Sequence, residues 1–172
     1  FGDPQGVTGT RKVVFVLLRY ADDTGIPHSP GFFNNLANPD PSVDPQIPTT
    51  INQFFRKLSN NTFSWQADVW GAGGLNAPDG YLVLPEGKAG YANCNFTVSC
   101  FNFSKFTDHA VIAAKAAGLN FVPYDNVNFV INNDLDCCAW GGSWYIDGKL
   151  YGTTWEPPWS QNTSTYGNEM GH

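Results

Sequence analysis

Charge is scarce in this sequence. Only 14% of its 172 residues are Asp, Glu, Lys or Arg, against about a quarter in an ordinary soluble domain. The nine basic residues are scattered, and the formal net charge is −6. No stripe of cations is available to neutralise phosphates, which argues against nucleic acid and anionic membrane as partners. Long apolar runs are missing too, and no stretch reaches the roughly 18 residues a membrane-spanning helix needs. Histidine is limited to three residues. None follows a nucleophile-like motif, which argues against a Ser-His-Asp arrangement. A Gly-rich phosphate loop and internal repeats are also lacking. No signal peptide is visible and the first residue is Phe, so the chain reads as a processed product.

What is there suits a loop-rich secreted globule. Hydrophobic residues make up 42% and aromatics 15%, enough to fill the core of one domain spanning 1–172. The four cysteines, Cys94, Cys100, Cys137 and Cys138, point to two disulfides and an oxidising compartment. Three connectivities are possible. A bridge between neighbours closes a strained eight-membered ring, so Cys137 and Cys138 are each expected to pair with Cys94 or Cys100. Four glycosylation acceptors, Asn60, Asn95, Asn102 and Asn162, stand in Asn-x-Ser/Thr triplets and agree with secretion.

Periodicity places the elements. "RKVVFVLLRY" (11–20) reads as a strand buried on both faces. The Pro-rich stretch 21–48 reads as a long loop. In "TTINQFFRKLSNN", Ile51, Phe54, Phe55 and Leu58 fall at helical spacing on one face, with Thr49 or Thr50 as N-cap. "FSWQADVWG" alternates as a strand, and "GYLVLPE" is expected to pair with it across a Gly-rich turn. "SKFTDHAVIAAKAAGLN" predicts a helix capped by Ser104 and closed by Gly118. "NVNFVIN" (126–132) is another core strand. The segment 139–160 reads as an aromatic hairpin or edge strand turning at Asp147-Gly148, and a last helix starts near Ser164 or Thr165. Helices separated by strands that must lie side by side imply an α/β (α+β) fold: a mixed sheet with helices packed on it.

The chemical signal is "NEMGH" at 168–172. In His-Glu-x-x-His, residues i and i+4 share a helix face at about 5–6 Å and hold one zinc, while the Glu activates its water. Here Glu169 stands in the position of the base and His172 in that of the second ligand, and Asn168 replaces the first. With "TGTRKVVFVLLRYAD" and "TINQFFRKLSNNTFSWQADVWG", this motif makes the chain resemble the N-terminal part of a metzincin-type, gametolysin-like secreted zinc endopeptidase. The resemblance implies a Zn2+ cofactor and an upper subdomain ending in the active-site helix. It also implies a polypeptide substrate bound in extended form along an edge strand. The family pattern continues to a third ligand, so the chain is expected to be truncated at the zinc-binding helix. The missing C-terminal part of the catalytic domain is then a partner, whether continuous or separate. Gametolysin-like enzymes carry a Gln at the position of Asn168. An amide oxygen is a poorer zinc ligand than imidazole, and three readings of Asn168 stay open: a true ligand, an inactivating change or a misassigned residue.

Other residues admit plainer readings. His28 and His109 could supply a third ligand, but a loop residue and a helix-surface residue are the simpler expectation. Trp140, Trp144, Tyr145, Tyr151, Trp155 and Trp159 could form a cleft wall or sugar platform, with core packing the simpler reading. Asp134 and Asp136 could pair on calcium, but such residues more often cap a turn. Two functions therefore stand at this stage. One is a zinc endopeptidase with Glu169 as base. The other is a catalytically inactive, peptidase-like module that binds glycan or protein.

Overall fold

A computed structural model describes residues 7–38, 50–94 and 100–171. Its centre is β1 (Gly9–Arg19), and Val13 to Leu18 within it are completely buried. Six consecutive apolar side chains cannot all face one side of a strand, so both faces must be covered. Each such burial stabilises by roughly 1.5–3 kcal/mol relative to exposure. Val14, Val16 and Leu18 join one core cluster, and Val13, Phe15 and Leu17 the other.

The remaining elements, in chain order, are helices α1 (Pro30–Ala37) and α2 (Ile51–Leu58), then strands β2 (Phe63–Gly71), β3 (Gly74–Leu75) and β4 (Leu82–Val83). Helix α3 (Phe103–Ala116) follows, then strands β5 (Asn126–Ile131), β6 (Trp140–Ile146) and β7 (Lys149–Glu156), and helix α4 (Thr163–Glu169). Together they form the mixed α/β fold the sequence implies. The sheet order is β3-β2-β1-β5-β7-β6, with β4 added beside the end of β1. β2, β4 and β5 run parallel to β1, and β7 runs parallel to β5, whereas β6 runs antiparallel to β7 and forms one edge. Phe33, Leu36, Ile51 and Tyr166 bring α1, α2 and α4 to one face. Phe106, Ala110 and Ala114 of α3 cover the other.

Local chemistry sets the boundaries. Thr50 and Gln53 form a reciprocal capping box on α2, satisfying two amides that the first turn leaves free. Asn60 and Asn61 close that helix at positive φ, a conformation Asn tolerates. Asp147-Gly148, with φ of 50° and 79°, makes the two-residue turn from β6 to β7.

Four expectations need correction. Within 21–48, the Pro-rich stretch contains α1, because Pro30 sits at the first helical position, where its missing N–H costs nothing; residues 39–49 lie outside the described ones. "GYLVLPE" does not pair with β2. Ala72 bridges Gly80, after which Leu82–Val83 extends beside Leu18–Arg19 of β1, past the end of the β1–β2 ladder at Val16–Trp70. The α3 cap is Asn102, whose side-chain oxygen accepts from Lys105 N at 3.0 Å, and Ser104 lies inside the helix.

The fourth correction is the disulfide pairing: Cys94 bridges Cys100, and Cys137 bridges its neighbour Cys138. The cause is register. Ala92 bridges Phe101, and Asn93 N–H donates to Cys100 O at 2.6 Å. Cys94 and Cys100 therefore face each other, leaving the adjacent pair to each other.

Candidate active site

Helix α4 is short and depends on its surroundings. Asn162 caps it, its side-chain oxygen accepting from Thr165 N at 3.0 Å. Tyr166 is fully buried with its ring edge-on to Phe15, centroids 5.2 Å apart. Gly167 packs on α2, where an added Cβ would stand 2.6 Å from a Phe54 ring carbon. At the far end Met170 Sδ accepts from Asn128 Nδ2 at 3.5 Å, and Thr154 Oγ1 donates to Asn128 Oδ1 at 3.0 Å. A seven-residue helix is marginal alone. These contacts to β1, α2 and β5, with Asn128 of β5 held in turn by β7, fix where Glu169 points.

Glu169 is half-buried against the edge strand. A side chain at Gly141 of β6 would collide with both the Glu169 carbonyl and its carboxylate. Asn168 is exposed, and its Nδ2 donates to Glu169 Oε1 at 3.0 Å. The adjacent pair in NEMGH is thus coupled through its side chains, with the carboxylate beside β6.

The exposed rim of β6 follows from its turn. Ile146 and Lys149 flank a two-residue turn and are a hydrogen-bonded pair, so alternation aims the backbone groups of Gly141, Ser143 and Tyr145 away from β7. No strand among the described residues pairs with that side. Trp140 packs on Phe103 and Trp144 on Trp155, toward α3. The side chains of Ser143 and Tyr145 therefore share the face of Glu169.

Beneath α4 lies a buried acid that sequence reasoning missed. Glu156 ends β7 with no exposed surface. Ser160 Oγ donates to its Oε2 at 2.5 Å, and its Oε1 has no partner. Burial pushes its pKa up to about 8; the Ser160 bond opposes this and the Glu169 charge adds to it. Burial, and then Glu156 itself, also raise the Tyr166 hydroxyl. The only cue in the sequence is a lone acid inside the aromatic "TTWEPPWS".

The other candidates fall apart. His109 rides on α3, on the opposite face of the sheet from α4, with Nδ1 2.9 Å from Tyr91 Oη. It cannot share an ion with Glu169. His28 stacks on Phe32 with centroids 4.0 Å apart. Asp136 accepts from Cys100 N at 2.5 Å, and the Asp134 backbone N–H donates to Asn133 Oδ1 at 2.7 Å. Trp155 and Tyr151 are core residues, whereas Tyr145 and Trp159 are 67% and 58% exposed. Asn60, Asn102 and Asn162 lie in turn or cap positions. Asn95 and His172 lie outside the described residues.

Among the described residues, no group of three or more His, Cys, Asp and Glu could hold a metal. Asn168 offers one carboxamide, and Glu169 is tied to it. These do not make a zinc site without His172 and a further ligand. Beside α4, a groove of about 690 Å³ is lined by Arg11, Phe55, Leu58, Trp65 and Met170 among others. Leu58, placed by periodicity on the helix's apolar face, is 70% exposed there. In comparisons with known proteins, no family model matches the chain, and no curated protein does either.

Proposed function

We propose that the chain carries the base-bearing helix and the substrate edge of a secreted zinc endopeptidase. The observation that supports this best is the Glu169 carboxylate beside Gly141 on an open, antiparallel strand edge. An extended peptide adding to β6 would gain main-chain hydrogen bonds from Gly141, Ser143 and Tyr145. Two glycines, Gly141 and Gly142, keep side chains out of its path near the carboxylate. Glu169 would then take a proton from the attacking water as general base. A zinc ion held by His172 and Asn168, with a ligand from outside this sequence, would supply carbonyl polarisation and a more acidic water. The groove beside Met170 is an apolar seat for the C-terminal part of such a catalytic domain. Two disulfides and the sequons agree with an extracellular setting, and no helix among the described residues is long and apolar enough to cross a membrane.

The test uses the full-length protein, with metal analysis and a quenched-peptide library. Glu169→Gln should lower turnover by at least about a hundredfold and leave zinc content unchanged, since it removes a base and not a ligand. Asn168→His should tighten zinc binding. If neither wild type nor Asn168→His binds zinc, the motif is a relic. The binding-module reading, which the exposed Tyr145 and Trp159 favour, then replaces this one.

A further inference from the structure

We propose that the Cys137–Cys138 disulfide is a reducible latch that holds the start of edge strand β6 against the end of α4. The argument begins with what this bridge does not do. A disulfide constrains the unfolded chain more as its loop lengthens. A bridge between neighbours closes almost the smallest loop there is, so its effect on overall stability is close to minimal. What it does constrain is the backbone between two adjacent residues.

That constraint sits at a sensitive place. Leu135 is buried in the core, and Trp140, which opens β6, packs on Phe103 with ring centroids 5.6 Å apart. The two cysteines occupy the short span between these anchors. The next residue after Trp140 is Gly141, packed against Glu169 with no room for a Cβ. Any slack released at 137–138 is therefore passed within three residues to the contact that sets the strand against Glu169. The span is also tied sideways, since Asp136 accepts from Cys100 N at 2.5 Å. This places Cys100 of the first bridge beside the start of the second.

The bridge is open to a reagent. Cys137 is exposed and Cys138 half-buried. An external dithiol would attack Sγ of Cys137 as its thiolate, forming a mixed disulfide and releasing the Cys138 thiolate. The second thiol of the reagent then displaces Cys137 and leaves as a cyclic disulfide. Two electrons pass from the dithiol to the protein, and its two protons end on Cys137 and Cys138. The proposal does not depend on peptidase activity, because its readout is the backbone of β6.

The oxidised full-length protein is titrated with dithiothreitol, quenched by alkylation and mapped by mass spectrometry, with amide hydrogen exchange measured on the same samples. Expected is opening of Cys137–Cys138 while the fold stays intact; Cys94 is exposed and Cys100 half-buried as well, so the mapping assigns each change in exchange to the bridge that opened. Within 140–145, exchange at Trp140, Gly142 and Trp144, whose amides face β7, should accelerate by about tenfold or more while β1 and β5 keep their protection. The double variant Cys137→Ser/Cys138→Ser should show the same fast exchange without reductant and no response to it. The proposal is overturned if the bridge opens only together with global loss of protection. It is equally overturned if exchange at 140–145 is unchanged once the bridge is open, or if the double variant protects β6 as well as the oxidised protein does.

Discussion

Glu156→Gln should stabilise the protein at neutral pH, although it removes a group from the core. Glu156 has no exposed surface, one oxygen bonded to Ser160 and one with no partner. Its pKa is raised from 4.5 to about 8, mainly by burial. A carboxyl whose folded pKa lies above its unfolded value favours folding fully only below the unfolded value. From there the unfolded chain sheds the proton while the folded one keeps it, and stability falls until the folded pKa is passed. At roughly 1.4 kcal/mol per pH unit, the loss by neutrality is about 3 kcal/mol. Glutamine keeps the shape and carries no charge at any pH. Its amide leaves a donor where Oε1 had no partner, a cost of about 1–3 kcal/mol that does not vary with pH. The signature is therefore the slope. Urea unfolding of both proteins, at about pH 5 and about pH 8, should show the variant gaining roughly 3 kcal/mol relative to wild type between the two. Titrating groups not coupled to Glu156, the half-buried His28 among them, cancel in the difference. An equal difference at both pH values would refute the reasoning, because Glu156 would then be ionised or exposed throughout.

Two further substitutions test the packing around the site. Gly141→Val should cost about 1–3 kcal/mol and loosen the last turn of α4, because its Cβ meets the Glu169 backbone, whereas Gly142→Val meets only a Trp155 ring atom at 3.8 Å and should be tolerated; thermal unfolding of the pair distinguishes them. Thr107→Val removes the acceptor of the buried Trp155 Nε1–H, 3.0 Å away, and should cost about 1–3 kcal/mol in denaturant unfolding, with altered tryptophan emission.

The elements with local signals could be read from the chain. β1 and β5 announce themselves as runs too long to bury one face only, and α2 carries its capping box in four residues. What could not be read depends on distant partners. The Cys94–Cys100 pairing is decided by the Ala92–Phe101 bridge. β4 joins β1 only because the β1–β2 ladder stops early. The site divides the same way. NEMGH marks Glu169 in sequence, but Gly141 lies 28 residues away and becomes meaningful only once β6 meets α4. Glu156 looks like an ordinary strand-end charge until Tyr166 covers it. The stripe on α2 was legible as apolar, yet Leu58 is left in the open groove.

The central position of β1 bears on how the chain is made. Its ladder partners are β2, β4 and β5, all later in the sequence, and β5 begins at Asn126. A ribosome adding 5–20 residues per second needs on the order of ten seconds between Val13 and that strand. Throughout that interval "VVFVLL" is an apolar, Pro-free, uncharged segment with high strand propensity, the composition that seeds intermolecular sheets. Parallel pairing at such sequence separation is also intrinsically slow. The strand that anchors the finished sheet is thus the segment most in need of a chaperone while synthesis is under way.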